Sequence, residues 1–448
     1  MSRRAALIPL LAFAVACGTS PPPAGEERLP DIRDTSRIAI PPPPPVIPDR
    51  DVPLVIAPDF SSGRLVRVAL FTDVDRITLG GTGSWLLYDD NGTRLQFRAR
   101  ASDAWTIKAE KGQLRAERDD GERAARRPAP FIARAEAKNT FITVNGRPFR
   151  GEVLVRPGDH GVVVIDRLGL EEYLRGVVPL EIGKRAEQEL AAVEAQAIAA
   201  RSYATAHVRA DAPRGYDLLS TVSDQVYGGV NAEQPLADAA IAATRSLVLT
   251  WQGRVIAAPY SASCGGHTAG ADETWHQGDA AYLRGISDRV KGGGDRFYCE
   301  IAPHFRWMRE YDRRELDAVL AVNLHGFAPV QGKVGIVTDV LIDGHTPSGR
   351  VAALRIVTDK DTYTVRGNDI RFVLRNDAGE ILPSTMFAME AVHDGVGRVS
   401  ALRFTGTGNG HGVGMCQWGA IGRARDGANA RAILRAYYPG AAVTALPE

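Results

Sequence analysis

A chain of 448 residues with 44% hydrophobic, 24% charged and 7% aromatic residues has ordinary globular composition, and it is long enough for two or three domains with sizeable cores. A formal net charge of +1 excludes nucleic-acid binding driven by bulk charge. Four cysteines in this length exclude a disulfide scaffold.

Arg3 and Arg4 precede an apolar run over residues 5–16 that is too short for a mature membrane helix and has the length of a signal-peptide core. The run ends on Ala14, Val15, Ala16 and Cys17, which resembles a bacterial lipoprotein cleavage box. Residues 1–17 are therefore expected to be a leader ending at a lipidated Cys17, anchoring an exported protein on the periplasmic face or the outer membrane. A plain secretory leader with an incidental cysteine is the alternative. Residues 18–50 hold Pro21 to Pro23, Pro30, Pro41 to Pro45 and Pro48 with few large apolar groups, so they read as an extended polyproline tether. Such a tether suits a target some distance from the membrane.

Residues 51–168 carry the period of strands: Val66, Val68 and Leu70 alternate with Arg67 and Ala69. Asn91-Gly92 and Asn145-Gly146 lie between extended runs and predict hairpin turns, because a type I′ turn needs positive φ at both central residues. No catalytic candidate stands out in this β-rich region. From residue 169 helices enter. Residues 187–209 predict a long alanine-rich helix packed on more than one side, with Glu187 and Glu189 in its first turn and His207 and Arg209 in its last. A helix over 235–246 begins at Pro235, and a hairpin turns at Gln252-Gly253. A more variable insertion occupies about 283–399. A glycine-rich loop over 406–414 precedes a helix from about Ala428 that Pro439-Gly440 stops. The fold class is α+β: a β-rich N-terminal region, then an α/β domain over 169–448 with a groove.

Four segments carry a resemblance. They are LEEYLRGVVPLE at 170–181; AQAIAARSY at 195–203 with QVYGG at 225–229; SASCGGHT at 261–268; and GHGVGMCQWGA at 410–420 with YYPG at 437–440. In this order, across residues 170–440, they resemble the stage II sporulation protein D and amidase-enhancer family, which works on bacterial peptidoglycan. The resemblance implies a lytic transglycosylase that cleaves between N-acetylmuramic acid and N-acetylglucosamine, leaves 1,6-anhydro ends, and uses Glu181 as its catalytic acid and base. A non-enzymatic enhancer of a cell-wall amidase, or a peptidoglycan-binding module, is the competing implication. Peptidoglycan strands and the membrane are the expected partners, with a cell-wall amidase as a third and nucleic acid excluded.

Glu181 follows Val177, Val178, Pro179 and Leu180 and precedes Ile182, so its carboxyl is expected to be partly desolvated and its pKa raised, as a general acid needs. A plain helix-capping role stays open for it. Glu171 and Glu172 read as a solvated helix start, and Glu194 as a buried group or a helper. For binding, His411 between glycines and His267 are the candidate histidines, Arg201 and Gln417 the candidate donors to an acetamido or lactyl group, and Tyr227, Trp275 and Trp418 the candidate sugar platforms. Cys264-x-x-His267 and His411-x4-Cys416 have no familiar zinc spacing, and the His-Cys pair of some family members is replaced by Ser223 and Asp224. No metal and no cofactor are therefore expected. A Cys264–Cys416 disulfide is expected if both loops line one cleft in an oxidising setting. Glu181, Cys264, His267, His411 and Cys416 are expected to surround a single groove.

Overall fold

The computed structural model describes residues 64–446 apart from 90–91, 124–129, 210–211, 276–279 and 377. The leader with Cys17, the tether, and Asn91 of the first expected turn lie outside the described residues. Two sheets make the β-rich part. One has seven strands in the order Leu218–Leu219, Leu65–Val74, Val162–Gly169, Glu152–Pro157, Phe131–Ala135, Trp85–Asp89 and Arg94–Ala99. The other has five: Gln113–Arg118, Trp105–Glu110, Arg76–Gly81, Ile142–Val144 and Arg147–Phe149. Phe97 of the first sheet stacks on Trp105 of the second at 3.8 Å between ring centroids. Val66 and Val68 point inward as the alternation predicts. The register then shifts between Ala69 and Phe71, so Ala69 is buried and Leu70 only partly so.

Asn145 and Gly146 have φ of 49° and 78°, and Gln252 and Gly253 have φ of 48° and 75°, so both pairs turn hairpins as expected. A third hairpin turns at Lys111 and Gly112, with φ of 53° and 72°.

The strand Val162–Gly169 runs straight into the helix Leu170–Ile182. A short 3-10 turn at Glu187–Glu189 then leads into the alanine-rich helix Leu190–His207. Ala192, Ala195, Ala197, Ala199, Ala200 and Ala204 are all buried, because alanine lets neighbouring elements approach from several sides. The Leu218–Leu219 strand pairs parallel with Leu65–Val74, so chain from beyond residue 169 completes the first sheet. One hydrophobic core runs without a break from Val66 to Tyr438 and takes in both sides of residue 169. A second core, from Trp307 to Phe404, belongs to the insertion. Its strands Arg306–Asp312, Val399–Thr407 and Phe387–His393 form one sheet; Val337–Ile342, Ala353–Thr358 and Thr362–Arg366 form another. Near the C-terminus there are two helices, Gln417–Arg425 and Ala430–Tyr437, where the sequence predicts only the second. No helix among the described residues is long and apolar enough to cross a membrane.

Candidate functional site

Glu181 is the penultimate residue of the helix Leu170–Ile182, which passes through Pro179 and ends at Gly183 with φ of 75°. Its side chain is half-buried. Oε1 accepts the Val226 N–H at 2.8 Å, and the Gln417 side chain hydrogen-bonds the same carboxyl. Burial pushes the carboxyl pKa up, and the bonds from Val226 and Gln417 hold it back in part. Val226 is itself placed by Gln225, which accepts from the Tyr173 hydroxyl at 3.2 Å and donates to the Tyr260 hydroxyl at 2.8 Å. Burial, then the Glu181 charge, push the phenols of Tyr173 and Tyr260 well above their ordinary pKa. They stay neutral hydroxyls, both hydrogen-bonded to Gln225.

The third and fourth segments are joined by backbone. Tyr260–Ser261 pairs parallel with Met415–Cys416, and the Trp418 N–H donates to the Ala262 carbonyl at 3.0 Å. Tyr260 reaches both ends of the arrangement: its hydroxyl meets Gln225, and its carbonyl accepts from His411 Nε2 at 3.0 Å. His411 Nδ1 accepts the Val413 N–H at 3.0 Å, which assigns the tautomer. Burial, followed by repulsion from the Arg371 guanidinium, pushes its pKa down to about 3, so the ring is neutral at physiological pH. With both nitrogens engaged, His411 offers a ring face, and Trp275 packs against it at 4.9 Å. Trp418 is partly exposed, with the Arg185 guanidinium 4.9 Å from its ring centroid. Gln417 is buried and also donates to Gln196 Oε1 at 3.3 Å.

Other expected residues lie elsewhere. Arg201 is completely buried and forks onto Glu171, at 2.8 Å and 2.7 Å, with further bonds to the carbonyls of Leu247 and Ile241. It has no face left for a ligand, so it is a core cation and not a substrate-binding residue. Glu171 is correspondingly a buried counter-ion, not part of a solvated helix start. Tyr227 is also in the core; its hydroxyl donates to Asp166 Oδ2 at 2.8 Å beneath the site, so it is not an open sugar platform. Glu194 is half-buried, which raises its pKa, and its side chain has no hydrogen bond among the described residues. His267 lines a shallow pocket with Gly270, Asp272, Glu273, Arg284, Gly285 and Pro347, a set that does not include Glu181. The expected Cys264–Cys416 disulfide is absent: Cys264, Cys299 and Cys416 are all buried free thiols. Cys264 and Cys416 are therefore beneath the loops and line no groove.

Several glycines shape these loops. Gly412 has φ of 81°, and a Cβ there would overlap the guanidinium of Arg350, which is pinned to the carbonyls of His267 and Cys264. Gly412→Ala is expected to cost about 1–3 kcal/mol from the backbone alone. Urea unfolding of the full chain measures this; an unchanged midpoint would mean that the loop holds a different conformation.

Tyr260, Gln225 and Val226 were not singled out by sequence. The signal available was their position, each beside or within a segment already marked.

Comparison with known proteins shows what the chain is similar to. The family pattern described as "Stage II sporulation protein" matches residues 158–251, which contain Glu181, Gln225 and Val226. A domain of unknown function matches residues 294–414. An uncharacterized protein of Brachyspira hyodysenteriae is 32% identical over 302 residues, 67% of this chain and 73% of that protein. Stage II sporulation protein D of Bacillus subtilis is 29% identical over 295 residues, 62% of this chain and 76% of that protein. Amidase enhancer of Bacillus subtilis is 27% identical over 295 residues, which are 60% of this chain but 40% of that longer protein. The family match holds the first two of the four segments, the named relatives extend the likeness over about 60% of the chain, and the chain belongs to the stage II sporulation protein D family.

Proposed function

We propose that the protein is a peptidoglycan lytic transglycosylase with Glu181 as its acid and base. The observation that supports this is the half-buried Glu181 carboxyl of raised pKa, held by residues from separate signature segments. An ordinary glycosidase needs two carboxylates. A lytic transglycosylase manages with one. Glu181 gives its proton to the glycosidic oxygen as the C1–O bond breaks. The C6 hydroxyl of the muramic residue then attacks C1 and returns its proton to the same carboxylate. No water enters the products. In this reading the partly exposed rings of Trp418 and Trp275 are the aromatic surfaces against which sugar rings pack. Digestion of purified glycan strands followed by mass spectrometry tests the reading: anhydro ends support it, and intact strands or reducing ends remove it.

The likeness to a protein named Amidase enhancer supports a second reading, in which the same surface binds peptidoglycan and stimulates an amidase without cutting glycan. Stimulation of an amidase by the full chain and by Glu181→Gln alike, with no anhydro product, is what that reading requires.

We further propose that the chain is exported and held at the envelope through lipid on Cys17, from the basic, apolar and small-residue order of residues 3–17. Cys17→Ser is expected to move the protein from the membrane fraction to the soluble one with its folded part intact. Retention in the membrane fraction would show that the anchor lies elsewhere.

A further inference from the structure

Beneath the paired loops lies a cluster that neither reading of the function uses. Cys264, Cys299, Cys416 and Asp288 are all fully buried, and their ligating atoms lie within 4.8 Å of one another. Cys264 Sγ is 3.5 Å from Cys299 Sγ and 3.7 Å from Asp288 Oδ2. A tetrahedron with metal–sulfur bonds of about 2.3 Å has edges of roughly 3.8 Å, so the spacing is near that of a ligand set.

The surroundings favour an anionic centre. Cys416 Sγ accepts two backbone N–H groups, from Cys264 at 3.1 Å and Gly419 at 3.3 Å. Asp288 is oriented through its other oxygen: Oδ1 accepts from Tyr437 at 2.7 Å and from Arg423 at 3.1 Å, which leaves Oδ2 toward the thiols. Gly419 makes room for this carboxylate, because a Cβ there would overlap Asp288 and Tyr437. Arg350 is also fully buried; it donates to the Cys264 carbonyl at 2.7 Å and the His267 carbonyl at 2.8 Å, and forms no ion pair among the described residues. A buried guanidinium without a counter-charge is costly.

Charge closes the argument. Three thiolates and one carboxylate around a divalent cation leave two negative charges, and Arg350 and Arg423 supply two positive ones. A disulfide between two of the cysteines would leave those guanidiniums facing only Asp288 and one thiol. Three sulfurs and one oxygen in a tetrahedral set suit zinc, a soft-tolerant ion, over magnesium or calcium.

We propose that Cys264, Cys299, Cys416 and Asp288 bind one zinc ion in a closed structural site. All four positions are filled by protein, so the ion has no open place for substrate. It ties the SASCGGHT loop to the start of the helix Gln417–Arg425, whose first residue bonds Glu181. This inference stands whether or not the protein cuts glycan.

The test uses the purified full chain. Elemental mass spectrometry is expected to find about one zinc per chain. Exchange with cobalt(II) should give an intense sulfur-to-cobalt charge-transfer band and tetrahedral d–d bands. Asp288→Asn and Cys299→Ser should lose the ion, and Arg423→Gln should weaken zinc binding about 10–100-fold in competition with a chromophoric chelator. If those variants fail to fold, the wild-type chain decides: a folded protein with neither bound zinc nor a cobalt spectrum overturns the site. So does a peptide map showing a disulfide among Cys264, Cys299 and Cys416.

Discussion

Glu181→Gln is expected to lower turnover of purified glycan strands by about 10²–10⁴-fold, the range for a lost general acid. The amide keeps an acceptor for the Val226 N–H, so the last turn of the helix and the QVYGG segment stay in place. A matching urea midpoint would separate loss of chemistry from loss of fold. The pH profile is a second readout. The working acid must be protonated, and burial raises the Glu181 pKa, so wild-type activity should fall as pH rises through that raised value. The same shift acts on stability with the same sign: the folded state favours the protonated form, so the contribution is complete below the unfolded carboxyl pKa and is lost as pH rises through the folded one. Turnover within a few-fold of wild type, or an unchanged alkaline limb in the variant, would remove Glu181 from the mechanism.

Arg201→Met should be strongly destabilising. It strips the counter-ion from Glu171, which sits buried at the start of the helix Leu170–Ile182 and also accepts from the Ser246 N–H. Breaking such a pair from one side costs about 3–5 kcal/mol, because a carboxylate is left in a medium that cannot solvate it. Adding Glu171→Gln to Arg201→Met should recover much of the loss, since the uncompensated charge is then gone. Urea unfolding of both variants measures the difference. A single-variant loss below about 1 kcal/mol would mean that water reaches the pair. Activity per folded molecule should be unchanged, which distinguishes a core cation from a ligand-binding one.

These two residues mark what the sequence made legible and what it did not. Glu181 was readable because its neighbours are apolar and its segment is distinctive. Arg201 lies in an equally distinctive segment, yet its partner Glu171 is thirty residues earlier and nothing local shows the pairing. The turns at Asn145-Gly146 and Gln252-Gly253 announce themselves through glycine after a polar residue, whereas Lys111-Gly112 does the same work with a less telling first residue. The alternation of the first strand misplaces Leu70, since a bulge changes which face it meets and bulges leave little trace in composition. The cysteines show the difference most clearly. Cys264 and Cys416 stand in marked loops and were paired by that fact alone. Cys299 and Asp288 lie in a variable stretch, and only folding places them beside the other two.

The insertion leaves the main core and returns through one antiparallel ribbon, with Arg306 opposite Thr407 at its base. Its two ends are thus held a strand's width apart, whatever the chain does between them. For a flexible polymer, closing such a loop costs only about 0.6 kcal/mol more for each doubling of length. Loop closure therefore sets little limit on how long this excursion is. Contacts back to the main core restrict that freedom: Ser348 Oγ donates to Glu273 and the Asn368 N–H to the Thr274 carbonyl. Arg350 reaches from the excursion back to the carbonyls of Cys264 and His267, so a replacement module must bring its own cation to the same place.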